Sequence, residues 1–198
     1  MKKIKALKPQ RYSQNGTLLC GDVQTLYEKE KKNHTVIGNY VHAIYKPLNN
    51  GDEIAQLKKE VPFLSEDYLN FLKKQNGLNA FSDSFCLYGF GRILSNGNYL
   101  TSRDPSVVLP YHLGDYNRGK TKVYEIGVFC ECKLVNNTEN QCYILLDKNN
   151  KAVATWGNIE SLISDCLDLL CDSYSEEGKA KKPTIVGNFI FNKTTEMK

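Results

Sequence analysis

With 198 residues, 41% apolar and 24% charged, the chain is long enough to close one hydrophobic core, and one domain with long ends is expected. No apolar run reaches the roughly 20 residues of a membrane-spanning helix, and Met1-Lys2-Lys3-Ile4-Lys5 lacks the apolar centre of a secretory leader, so the expectation is a cytoplasmic protein with no membrane partner. Seven cysteines without a CxxC pair fit neither a disulfide framework nor a zinc knuckle, and no metal or other cofactor is expected.

The net charge of +4 is segregated along the chain. Residues 1–50 carry nine Lys and Arg against three Asp and Glu, residues 51–178 carry 12 against 18, and residues 179–198 carry five against one. An acidic central domain thus lies between a basic N-terminal extension, partly β in character, and a basic C-terminal extension. The simplest reading is that the basic ends neutralise the acidic body. Nine cations dispersed among apolar residues over the first fifty positions are not a nucleic-acid footprint, so no direct nucleic-acid binding is expected.

In chain order, the first β-like run is TVIGNYV at residues 35–41, which matches TIVGNFI at residues 184–190 in class at every position. Asp52 is placed to cap a first helix with Ile54, Leu57 and Val61 on one face, and Pro62 withdraws the donor its next turn would need. Ser65 restarts the helix. Glu66 and Asp67 suit its N-terminus, Tyr68, Leu69, Phe71 and Leu72 give it an apolar face, Lys73 and Lys74 suit its end, and Asn76-Gly77 stops it. After a Gly-, Asn- and Pro-rich loop over residues 95–122, residues 123–134 alternate with Tyr124, Ile126, Val128, Cys130, Cys132 and Leu134 on one face, which predicts a single half-buried strand. The turn-like NNTEN and KNN segments then divide QCYILLD from KAVATW, completing a three-stranded antiparallel meander before a closing helix from Asn158. The expected fold is α+β, with a helix pair and a C-terminal helix packed on a mainly antiparallel sheet, and Leu57, Leu69, Leu72, Ile126, Val128, Leu145, Leu162 and Ile163 in its core.

Leu64, Tyr68, Phe71-Leu72, Asn76-Gly77 and Tyr88-Gly89, followed by Ile126-Gly127 and by Tyr143-Ile144-Leu145-Leu146-Asp147, occur in an order that resembles the SUKH superfamily of Smi/Knr-type proteins. The likeness covers about two-thirds of the chain, within residues 51–178. Ser65 stands where that family usually has proline, and FCECKLVNNTENQ replaces its glycine-rich hairpin. The resemblance implies a non-catalytic binding domain. In that family such domains act as immunity proteins that neutralise a cognate toxin, often a nuclease, or, in fungal members, as regulatory scaffolds.

Residues 114–121, GDYNRGKT, satisfy the phosphate-loop pattern GxxxxGK[ST], and Asp147 could pose as its magnesium ligand. Phosphate binding needs a helix beginning at Lys120-Thr121 and two parallel strands. The sequence instead alternates after Thr121, and a five-residue link makes an antiparallel hairpin. His112 lies near Asp115 and Asp104 without a nucleophile, and His34 and His42 have no acid or cysteine at ligand spacing. Cys130, Cys132 and Cys166 read as small buried hydrophobes.

The closing helix has a buried stripe of Ile159, Leu162, Ile163, Cys166 and Leu170, and a ridge of like charge at Asp165, Asp168, Asp172 and Glu176. Like charges so spaced cost a few tenths of a kcal/mol each, and acids near a helix C-terminus oppose its dipole. The ridge is a candidate surface for a basic partner, with Lys179, Lys181 and Lys182 as its simplest internal neutralisers. A second candidate patch is Asp104, Tyr111, Asp115 and Tyr116 in the long loop. The expected partner is a basic toxin, most simply a nuclease domain, met by an acidic surface that imitates its substrate's charge.

Overall fold

The computed structural model describes residues 10–12, 18–22, 40–81, 84–90, 114–115 and 123–173, with residues 10–12, 19–22, 40–41, 114–115 and 171–173 described in their backbone alone. In order these form β1 (Gln10–Tyr12), β2 (Leu18–Asp22), β3 (Tyr40–Ile44), α1 (Gly51–Glu60), α2 (Glu66–Lys74), β4 (Leu78–Ala80), β5 (Phe85–Leu87), β6 (Gly114–Asp115), β7 (Val123–Phe129), β8 (Cys132–Asn137), β9 (Cys142–Leu146), β10 (Ala152–Trp156) and α3 (Ile159–Ser173). Every described strand pair is antiparallel, and the sheet follows the chain as β1-β2-β3-β4-β5-β7-β8-β9-β10. The two-residue β6 pairs with β7 alongside Tyr124 and Glu125, next to the stretch that β5 occupies. The class is α+β. Strands β1 to β3, from the basic N-terminal segment, continue the same sheet, and Tyr40 and Val41 of the TVIGNYV run open β3.

The helices begin where side chains can serve their unpaired N–H groups. The cap of α1 is Asn50 rather than Asp52, since Asn50 Oδ1 accepts the Asp52 N–H at 3.0 Å and Asp52 already lies inside the first turn. Ser65 caps α2 through Tyr68 N–H at 3.2 Å, and Asn158 caps α3 through Ser161 N–H at 2.8 Å. Only Leu57 is buried from α1, whereas α2 buries Tyr68, Leu69, Phe71 and Leu72. At roughly 1.5–3 kcal/mol for each large apolar side chain fully buried, α2 is the more firmly seated of the two. Ile159, Leu162, Ile163, Cys166, Leu167 and Leu170 of α3 join the same core cluster as Leu78, Phe85, Leu87, Ile126, Phe129, Leu134 and Leu145.

Two strand expectations are corrected. Residues 123–134 are not one strand but a tight hairpin, with Phe129 opposite Cys132 and a two-residue turn at Cys130-Glu131. The turn needs positive φ at its first central position, and Cys130 adopts it at 54° without glycine or asparagine to mark it in sequence. The meander therefore has four strands, β7 to β10. The second correction concerns Val128, which is half-buried while Phe129 is 1% exposed. A register shift between Glu125 and Gly127 inserts Ile126 as an extra residue, so the alternation changes phase and Phe129 takes the core position. The other seven expected core residues are buried.

Candidate functional site

The landmark residues scattered over residues 68–127 meet at one junction. Tyr68, fully buried in α2, offers its hydroxyl proton to the carbonyls of Tyr88 at 2.6 Å and Ile126 at 3.0 Å, and Ile126 also accepts the Tyr88 N–H at 2.7 Å. The hydroxyl therefore fastens α2 to the end of β5 and to the bulge of β7. Asn76 accepts the Phe90 N–H at 2.8 Å and donates to the Phe90 carbonyl at 2.7 Å, so one side chain pairs with a backbone as a neighbouring strand would. Each glycine beside this junction has a steric reason. A Cβ on Gly89 would come 2.2 Å from the Asn76 carbonyl oxygen, one on Gly127 would come 2.1 Å from the Cys86 carbonyl oxygen, and Gly77 holds a φ of 102°.

A second polar group ties α2, β8, β9 and α3 together. Asp67 Oδ2 accepts from Tyr143 Oη at 3.0 Å and from the Ile159 N–H at 2.7 Å, satisfying a donor at the start of α3. Because the Tyr143 proton is committed to Asp67, the 3.1 Å contact with Ser65 is a bond that Ser65 Oγ donates. Asn136, fully buried, accepts the Ser65 N–H at 3.3 Å and donates to the Cys142 carbonyl at 3.3 Å. Burial, then the neighbouring Tyr143 and Tyr88, push the Tyr68 hydroxyl far above its ordinary value; burial does the same to Tyr143, opposed by the Ser65 bond and reinforced by Asp67. Both phenols stay protonated near neutral pH and act as donors, which suits a structural clasp.

The acidic ridge is less uniform than its spacing suggests. Asp165 is half-buried and accepts the Trp156 indole N–H at 3.0 Å, locking β10 to α3. Asp168 is exposed, with Glu160 and Ser164 four residues apart on the same side of the helix, and α3 has no basic residue in its last turn. Glu160 approaches Lys74 at 3.8 Å, both largely exposed, an arrangement worth little in water. The backbone of Asp172 lies in α3, and that of Asp115 in β6; Glu176, Asp104, Tyr111 and Tyr116 lie outside the described residues. The structure thus places Asp165 and Asp168 on one helix and gives Asp165 a structural bond that sequence periodicity could not reveal.

The phosphate-loop pattern finds a different arrangement. Gly114 and Asp115 form β6, antiparallel to β7, and β7 is a strand from Val123. Asp147, the would-be magnesium ligand, folds the turn between β9 and β10, its Oδ1 accepting the N–H groups of Asn149 at 2.8 Å and Lys151 at 2.9 Å. Among the described residues there is no His, Cys, Asp and Glu group arranged to hold a metal ion, and no helix long and apolar enough to cross a membrane. Burial, followed by Cys132 and Glu131, pushes the Cys130 thiol up to about 11, and burial also raises those of Cys132, Cys142 and Cys166, so these thiols are poor nucleophiles near neutral pH. Comparison of the chain with known protein families, with curated proteins and with solved structures finds no match to any of them.

Proposed function

We propose that this chain is a non-catalytic binding protein that neutralises a cognate toxin, most simply a basic nuclease domain, as an immunity protein of the SUKH type. The observation that carries the reading is the acidic face of α3, where Glu160 and Asp168 stand exposed on a helix whose last turn holds no cation. Asp168 lies toward the C-terminal end of α3, where a carboxylate opposes the helix dipole, whereas an approaching cationic partner is drawn and oriented by it. The resemblance adds support, since its landmarks converge on one junction of α2, β5 and β7 and so behave as a set that defines a fold.

The test is association kinetics with the toxin domain encoded beside this gene. Replacing Asp165, Asp168, Asp172 and Glu176 together with Asn or Gln should slow association roughly tenfold at low ionic strength and flatten its dependence on salt. Asn at position 165 still offers an oxygen to Trp156, so the fold should persist. An unchanged rate and an unchanged slope would remove α3 from the interface and leave the residue 104–116 patch as the place to look.

A further inference from the structure

We propose that His42 is an acid-operated release for the β1–β3 unit: protonation of its ring parts β3 from β4 while β7 to β10 and α3 stay folded. The unit is joined to the rest of the sheet by a short seam. The ladder between β3 and β4 has two residue pairs, Ala43 with Asn79 and Ile44 with Leu78, extended at one end by the Tyr45 N–H bonding to the Gly77 carbonyl at 3.4 Å and the Asn76 N–H to the Lys46 carbonyl at 3.2 Å, and Ile44 also adds its side chain to the core. At the other end, where the register would bring His42 opposite Ala80, the next bond comes from a side chain: the Phe81 N–H donates to Nδ1 of His42 at 3.2 Å. By contrast, β7 and β8 share six residue pairs.

The ring is poorly suited to charge. His42 is 0% exposed and lies edge-on to Phe81, with centroids 4.7 Å apart, and Phe81 itself is held at a φ of 53°. Because Nδ1 is the acceptor, the neutral ring carries its proton on Nε2, which has no hydrogen-bond partner among the described residues. A second proton would land on Nδ1 and point at the Phe81 N–H, setting two donors face to face and burying a cation. From β2, Cys20 lies opposite His42 in register and Asp22 lies opposite Tyr40. On the other side β4 brings Asn79 and Ala80, which do not titrate, and Asp83, after Phe81, lies outside the described residues.

Burial lowers the pKa of His42 from its ordinary 6.5 to about 4. The opened form protonates near 6.5 and the closed form only near 4, so between these values protons favour opening, and closure weakens as pH falls through that window. Hydrogen exchange of the full chain, expressed as protection factors corrected for the intrinsic rate at each pH, reads this directly. Protection of the Phe81 and Tyr45 amides should drop roughly 20-fold from pH 7 to pH 5, while amides of β8 and β9 hold theirs. In His42→Asn the side-chain oxygen occupies the acceptor's place without titrating, and protection at Phe81 should become independent of pH. The proposal is overturned if wild-type protection at Phe81 does not change, as a carboxylate reaching the ring would cause. It is equally overturned if β8 and β9 lose protection in step with Phe81, or if the Asn variant keeps the full pH response.

Discussion

At Tyr68 a single hydroxyl proton serves two carbonyl oxygens, one at the end of β5 and one in the β7 bulge, and so connects α2 to both. Tyr68→Phe keeps the ring and removes the hydroxyl bond to the Tyr88 and Ile126 carbonyls, so urea unfolding should show a loss of about 1–3 kcal/mol with an unchanged m-value. Gly89→Ala should do more damage although it adds one carbon, because the obstacle 2.2 Å away is the Asn76 backbone and not a side chain that can turn aside. An overpacking cost of at least 1–3 kcal/mol is expected, and an alanine variant as stable as the wild type would show that β5 and the Asn76 turn can separate freely. The same measurement separates two readings of the Asn76-Gly77 and Tyr88-Gly89 pairs, as parts of a clasp or as accidental neighbours.

Between elements, Asp67 matters more than its exposed position on α2 suggests. One of its oxygens receives Tyr143 of β9 and the first N–H of α3, so losing it uncaps one helix and unties another at once. Asp67→Ala should cost about 2 kcal/mol, and a cycle with Tyr143→Phe should show a coupling of at least about 0.5 kcal/mol; strictly additive losses would break the link drawn here. None of this was legible in the sequence, because the bonds join residues 76 and 92 positions apart. What was legible is local: Ser65 and Asn158 as caps, the apolar faces of α2 and α3, and the polar turns before β9 and β10. The hairpin at Cys130 and the bulge at Ile126 escaped for a shared physical reason. Each depends on a backbone state set by tertiary pairing: Cys130 carries no glycine or asparagine signal, and Gly127, the local sign beside the bulge, does not fix the phase of the strand after it. The acidic ridge was half legible, since periodicity aligned Asp165 with Asp168 but could not foresee the Trp156 bond.

For the whole molecule, a sheet whose spatial order repeats its chain order puts its first and last strands at opposite edges. With strands about 4.8 Å apart, the nine on the main path span roughly 38 Å across the ladder. Tension applied between a residue of β1 and a residue of β10 would therefore run along the interstrand hydrogen bonds, opening them in succession as a zip opens, and not shearing a whole strand's bonds together. Pulled between those two strands in a single-molecule trap, the protein should lengthen in several small steps at low force, with the two-pair seam between β3 and β4 among the first to part. One large rupture at high force would contradict that geometry. A sheet so built concentrates its resistance to heat and denaturant in the buried core, yet gives way one strand at a time when its two edges are drawn apart.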